Sequence, residues 1–425
     1  MRSRVTVRLT CSAILILAVL VVQPLLACGN VLDNDDDGLP TWLVLVYLDG
    51  DNNLDVTLGS SEVGVVQEDL NELMRVGSTE NVDAFTLVDR FDGPAVLYRV
   101  LPGELEEMTD YQFHEDEVNM GDPRTLRSFV SYAFNKSEAE QTIIVFWDHG
   151  TPYYIALDDH PCEGDEVEPD SLTHKEVISA LDGYHIDILG ADECLVGQVE
   201  VAYEYARFAD VDYLVASECY TGWRGIAYDR ILEEIDANPG ITPRELSEAM
   251  TVHFTEMLSM PPYKAEIINS KAAVDLGMMD DLSKSICGLA EVLTKDIDEY
   301  TNALMTARCS SQILYGTTAV SRVDLGNFVE VLSENVADQG VKAACSAVMD
   351  SYAEAVFAIG TTMITEPLHT GLGIYFPIAP NHSLEEFMLG GSDAEYRSYA
   401  FPQLGWMDFI ETCWDAHGGL KAGTV

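Results

Sequence analysis

From Trp42 onward the chain repeats one pattern: an unbroken apolar run of strand length, then apolar residues at helical spacing. Trp42–Leu48, Ala84–Val88, Ala95–Leu101, Thr142–Trp147, Ile186–Leu189 and Tyr213–Ala216 read as strands. Val63, Val66, Leu70 and Leu73 mark one helix stripe, and Leu195, Val199, Ala202 and Ala206 mark another. A strand that is apolar at every position needs cover on both faces. The pattern therefore predicts an α/β fold with a mostly parallel central sheet between helical layers, an α/β/α sandwich.

Pro261-Pro262 marks the expected boundary of this region. Beyond it the chain turns helical, with Leu282, Ile286, Leu289 and Leu293 on one face and a second long helix over Val341–Ile359. Gly371–Phe376, stopped by Pro377, reads as one further strand. The expected organisation is a sandwich domain over 41–260 and a helix-rich C-terminal region over 261–425.

The first 27 residues read as a secretory signal. Arg2, Arg4 and Arg8 precede the apolar run Ala13–Val22, which is too short to span a bilayer. Leu25-Leu26-Ala27-Cys28 resembles the bacterial lipobox, so Cys28 is the expected lipidation site and the membrane an expected partner through that anchor. Residues 28–40 then form an acidic tether. Its Asp33–Gly38 segment matches the first half of a calcium loop, but position twelve is Val44 rather than Glu. This places the protein outside the cytoplasm, at the cell envelope.

Removing the signal leaves 20 basic against 72 acidic residues, because the signal holds three Arg and no acid. Phosphates would be repelled, which excludes nucleic acid as a partner. Arg outnumbers Lys by 15 to 8. A salt-adapted surface, a field that attracts basic substrates and a plainly solvated acidic face all fit this balance. Seven cysteines remain after Cys11 and Cys28: Cys162, Cys194, Cys219, Cys287, Cys309, Cys345 and Cys413. Outside the cytoplasm an odd count predicts one free thiol with up to three disulfides, whose pairing sequence does not fix.

Two segments share an architecture that carries chemistry. "TIIVFWDHG" is an apolar strand ending at His149-Gly150, and "IDILGADEC" is one ending at Cys194. In a parallel sheet both carboxyl ends open on one edge, and neighbouring strands lie about 4.8 Å apart. An imidazole beside a thiol can take its proton and create a nucleophile. The backbone N–H groups of Gly150 and Cys194 are the expected donors to an oxyanion, with glycine allowing close backbone approach. Other candidates are weaker. His417-Gly418 lacks a preceding strand, the set His149, His160, Cys162 and His174 has no compact metal spacing, and Cys219 has no second His-Gly partner.

These residues carry a resemblance to the clostripain family of cysteine peptidases, relatives of caspases, legumains and gingipains. It runs from about Trp42 to Pro377. "WLVLVYLDGDNNLD" resembles the family's opening strand and turn, "FWDHG" its histidine motif and "DILGADECLVG" its cysteine motif. "DSLTHKEVISAL", "YLVASE", "AYDRIL", "VDLGNF" and "GLGIYFP" resemble flanking segments. The resemblance implies a caspase-like sandwich, a Cys194–His149 dyad and cleavage of proteins or peptides after Arg or Lys. Asp192 corresponds to the acid of the specificity pocket, where a carboxylate would pair with a guanidinium or ammonium group. Calcium is a further implied cofactor, without named ligands. Three departures are visible. Glu193 replaces a small residue beside the nucleophile, Cys219-Tyr220 replaces an expected acidic segment, and only Lys175 offers a basic residue between His149 and Cys194. The last departure predicts a single-chain enzyme, and a Cys162–Cys219 disulfide is one way to pin that loop. A catalytically degenerate surface-binding or scaffold module is the competing reading, motivated by Glu193 and Cys219. An amidase or transpeptidase using the same dyad is a third.

Overall fold

The structure, a computed structural model, describes residues 40–55, 64–113, 117–162, 168–222, 224–259, 269–311, 321–362, 369–377 and 392–416. The signal, Cys28, the tether before Pro40, Pro261-Pro262 and His417-Gly418 lie outside these residues. Among the described residues no helix is long and apolar enough to cross a membrane.

Thirteen strands are described. They are β1 (Trp42–Gly50), β2 (Val82–Arg90), β3 (Val96–Leu101), β4 (Glu104–Glu107), β5 (Gln141–Trp147), β6 (Tyr154–Asp158) and β7 (Asp170–Thr173), then β8 (Ile186–Asp192), β9 (Val211–Ala216), β10 (Ser270–Asp275), β11 (Arg322–Asp324), β12 (Val356–Thr361) and β13 (Gly373–Tyr375). Nine of them form one sheet in the order β12-β10-β9-β8-β5-β1-β2-β3-β4. The five central strands, β9 to β2 in that order, are parallel, and both flanks are antiparallel.

The twelve helices are α1 (Val65–Val76), α2 (Pro123–Lys136), α3 (His174–Ala180), α4 (Val199–Phe208), α5 (Tyr228–Ala237), α6 (Pro243–Ser259), α7 (Met279–Lys295), α8 (Ile297–Ser310), α9 (Leu325–Asn335), α10 (Gln339–Ala355), α11 (Asp393–Ser398) and α12 (Trp406–Ala416). Alternation along each strand divides the core in two. Trp42, Val44, Val46 and Leu48 of β1 face the layer formed by α1, α5 and α6, while Leu43, Leu45 and Tyr47 face the larger layer with α2, α3, α4 and α7. Two crossover helices carry side-chain N-caps, Asp122 on α2 and Thr173 on α3. In α3, the Thr173 hydroxyl accepts from Glu176 N and the Glu176 carboxylate accepts from Thr173 N, a capping box that fixes the entry to the nucleophile's crossover.

The expected sandwich is the observed one, with two differences in the C-terminal half. The expected strand at 371–376 is β13, and it pairs with β11 in a separate two-stranded sheet. In its place β10 and β12 join the main sheet beside β9, so the sheet continues past residue 261.

Candidate active site

β5 and β8 pair in parallel from Ile143↔Ile188 to Trp147↔Asp192. The chain then leaves both strands in step, so Asp148-His149-Gly150 runs beside Glu193-Cys194-Leu195. The contact is tight. A Cβ built on Gly150 would lie 2.6 Å from Glu193 Cβ and 2.8 Å from the Cys194 carbonyl oxygen. Only glycine allows the histidine turn to lie this closely on the cysteine turn.

Cys194 is half-buried, and its sulfur accepts from Thr221 N at 3.3 Å. The Thr221 hydroxyl donates to the Glu193 carbonyl at 2.7 Å and lies 3.7 Å from the sulfur. Leu195 turns the chain in the left-handed region (φ 67°), a conformation that costs a non-glycine residue about 1–2 kcal/mol. Its N–H donates to the Cys219 carbonyl at 3.1 Å, which helps hold the turn. Among the described residues, the N–H groups of Gly150 and Cys194 donate no hydrogen bond.

His149 Nε2 lies 2.7 Å from Asn53 Oδ1. An amide oxygen only accepts, so in the neutral ring Nε2 carries the hydrogen and Nδ1 is the basic nitrogen. Asn53 belongs to the turn after β1, the strand adjacent to β5. It was not among the residues singled out from sequence, although the "DGDNNLD" turn follows a strand opening on the same edge. Burial holds the His149 ring below the usual histidine range, partly offset by Asp159. Burial pushes the Cys194 thiol up, opposed by its bonds from Thr221. The resting pair is thus a neutral thiol and a neutral ring.

The edge is rich in buried acids. Asp148 accepts from Asn52 Nδ2 at 2.7 Å and from Leu157 N. Burial, then neighbouring carboxyls, raises Asp49 and Asp148 well above the carboxylate range. Glu193 behaves alike: it is 1% exposed, and burial raises it well above its usual value. Its carboxyl lies against Gly150, where burial favours the protonated form.

Asp192 points to the opposite layer. Its Oδ2 accepts from Ile226 N at 2.8 Å and from the Tyr228 hydroxyl at 3.1 Å. Lys271 Nζ lies 4.0 Å from Oδ1, and the side chains are 0% and 1% exposed, lysine first. Lys271 also donates to the Ala191 carbonyl at 2.7 Å. In this arrangement the Asp192 carboxylate already has an internal cation.

The remaining candidates go elsewhere. Cys219 is buried against Ser270 (Sγ–Oγ 3.3 Å), and burial pushes its thiol up to about 12. The seven described cysteines are all free thiols, which corrects the expectation of disulfides, including Cys162–Cys219. His174 is fully buried between Tyr205 and the Thr151 carbonyl, and His160 pairs with Asp51 at 2.8 Å, so these rings do not converge with His149. Lys175 is tied to Ser398, donating to its carbonyl at 2.7 Å. For calcium, two sets of three ligand-type side chains converge among the described residues: His185, Asp187 and Asp212, and Glu218, Asp324 and His369. Each includes an imidazole, whereas calcium takes an all-oxygen shell, so neither set fits it.

A cysteine and a histidine presented side by side from parallel strand ends of an α/β/α sandwich define the cysteine-hydrolase class of site. The sequence matches the clostripain family over residues 46–414, and the chain belongs to that family of cysteine peptidases. It is 28% identical to clostripain of Hathewaya histolytica in an alignment covering 46% of this chain, and it spans only 42% of that relative's length. An inactive zymogen C11 protease from Parabacteroides distasonis has a similar fold: TM-score 0.63, 16% identity, 86% of this chain and 98% of that one. So does a secreted C11 cysteine protease from Bacteroides thetaiotaomicron in complex with an irreversible peptide inhibitor: TM-score 0.64, 17% identity, 87% of this chain and 99% of that one.

Proposed function

We propose that the protein is an endopeptidase in which Cys194 is the nucleophile and His149 the base. The observation that carries this reading is the β5–β8 register, which lays the His149-Gly150 turn directly on Cys194. His149 Nδ1 takes the thiol proton as Sγ attacks the peptide carbonyl carbon. The oxyanion gathers at the unengaged N–H groups of Gly150 and Cys194. The C–N bond breaks, and His149 gives the proton to the leaving amine. Water then attacks the thioester carbonyl and passes a proton to His149. The thiolate leaves with the electron pair of the broken C–S bond and regains that proton, which restores the thiol.

Cleavage after Arg or Lys is the accompanying proposal. A net charge of −49 supports it by drawing basic peptides, and Asp192 supports it by its place two residues before Cys194. Reaching that carboxylate requires Lys271 to give way. Anchoring outside the cytoplasm through Cys28 is supported by Leu25-Leu26-Ala27-Cys28. Its expected mark is release of the protein from the membrane fraction in Cys28→Ser.

The test uses the protein and a peptidyl-arginine amide. Turnover is expected to fall by about 10⁶-fold in Cys194→Ala, the scale seen when a nucleophile is removed. Turnover that survives undiminished removes the proposed nucleophile. Absence of turnover on basic and neutral amides alike favours the non-catalytic scaffold reading.

A further inference from the structure

We propose that Glu218, Asp324 and His369 form a binding site for a divalent transition-metal ion of the zinc or manganese class. The three residues come from separate parts of the chain. Glu218 lies just past the end of β9, Asp324 caps the N-terminus of α9, and His369 precedes β13. All three are buried, at 0%, 0% and 4% exposure. Their ligand atoms lie within 4.8 Å of one another.

Two of these atoms find no hydrogen-bond partner beyond the cluster itself. Among the described residues, neither Glu218 Oε2 nor His369 Nδ1 meets a donor or acceptor outside the cluster: the Glu218 and Asp324 carboxyls lie within hydrogen-bond reach of each other, and His369 Nδ1 is 3.3 Å from Glu218 Oε1. That spacing matches the edge of a coordination shell. Bonds of about 2.0–2.2 Å put neighbouring ligands about 3.0–3.5 Å apart. Burying polar atoms without partners is costly, and burying two carboxylates without a cation costs more. Two other buried cations are engaged elsewhere: Arg322 lies 3.2 Å from Glu200, and Lys271 neighbours Asp192.

Backbone and hydroxyl donors also hold both carboxylates in place. Asp324 accepts from Asn327 N at 2.7 Å, Thr370 N at 2.5 Å and Thr370 Oγ1 at 2.7 Å, and Glu218 Oε1 accepts from Gly371 N at 2.8 Å. Such bonds orient metal ligands in advance. One imidazole nitrogen with two carboxylates suits zinc, manganese or iron and disfavours calcium. The set His185, Asp187 and Asp212 lacks this character, since His185 and Asp212 are exposed and His185 bonds Asp210. An ion on Glu218 would also stiffen the segment that ends at Thr221, which holds the Cys194 sulfur. That consequence rests on the peptidase reading, while the site itself does not.

The test uses the metal-stripped full chain carrying Cys194→Ala, which removes the active-site thiol as a competing ligand. Zinc, manganese and calcium chlorides are titrated separately by calorimetry, with melting temperature as a second readout. One zinc or manganese ion per chain and a raised melting temperature are expected. Glu218→Gln and His369→Ala should each weaken binding at least about tenfold, while His185→Ala leaves it unchanged. No saturable uptake at one ion per chain overturns the site and leaves a shared proton as the tie between the carboxyls. Binding undiminished in both variants, or calcium bound in preference, overturns it as well. If the variants do not fold, cobalt(II) in the parent chain decides. Visible bands without thiolate charge transfer support the site, and thiolate charge transfer places the ion on cysteine instead.

Discussion

His149 and Asn53 are joined ring to amide at 2.7 Å, so the turn after β1 orients the imidazole carried by the tip of β5. The bond selects the Nε2–H tautomer and leaves Nδ1 to accept a proton. Asn53→Ala should lower kcat by about 10- to 100-fold, a part of what general-base catalysis contributes, with KM little changed. Asn53→Asp should retain orientation and raise the ring's pKa, moving the acid limb of the pH–rate profile upward. An unaltered kcat in Asn53→Ala would remove this role.

The neutral resting dyad has a signature in alkylation. Burial pushes the Cys194 thiol up and holds the His149 ring down, so the free protein presents little thiolate at neutral pH. Alkylation by iodoacetamide is expected to climb as pH rises beyond about 8.5, the ordinary thiol value. A fast, level rate from about pH 5 to 8 would instead mark a preformed ion pair.

Stability should fall toward alkaline pH. Burial raises Asp89 to about 8 and Glu72 to about 7. The folded state therefore keeps protons that the unfolded chain releases near pH 4. Their stabilisation is complete below about 4 and is lost as pH climbs toward 7 and 8. His174 acts in the other direction. Burial lowers it to about 4, so its contribution is complete above about 6.5 and fades as pH falls toward 4. Melting temperatures at fixed ionic strength should decline between about pH 6 and 8.5, and Asp89→Asn should flatten the decline. A profile that rises over that interval would contradict the buried-acid account.

Lys271 and Asp192 form a pair with neither side chain reaching solvent. Lys271→Met leaves a buried carboxylate without its cation and should cost about 3–5 kcal/mol, measured by denaturant unfolding. Lys271→Met with Asp192→Asn should recover much of that loss, because no unpaired charge remains. A double variant as unstable as the single one would show that the two residues are not coupled.

Gly150→Ala should lose activity and about 1–3 kcal/mol of stability, since the new methyl meets both Glu193 Cβ and the Cys194 carbonyl. Adding Glu193→Ala relieves only the contact beyond its Cβ, so neither property should return fully. Wild-type turnover in Gly150→Ala would mean that the two turns are not in fixed contact.

Much of this site could be read before any coordinates. A strand buried on both faces announces itself as a continuous apolar run, and His149 and Cys194 stand where two such runs stop. What stayed hidden lacked that signal. Asn53 sits in a polar turn with no periodicity, and only the β1–β5 pairing makes it a neighbour of His149. Lys271 reaches Asp192 from 79 positions away, and nothing local distinguishes it from a surface lysine. β13 has the apolar run of a central strand, yet it is covered by α12 packing, as in the Trp406 Nε1 bond to the Tyr375 carbonyl, rather than by the main sheet. The cysteine count invited disulfides because a count carries no geometry.

The antiparallel flank of β10 and β12 has a consequence for how the molecule comes into being. β9 neighbours the nucleophile strand, and among the described residues its outer edge is closed by β10, whose own edge is closed by β12, ending at Thr361. A nascent chain emerging from its N-terminus would therefore hold an open, pairing-competent edge until most of its length had been made. Fragments ending near residue 260 should associate edge to edge rather than persist as small soluble enzymes.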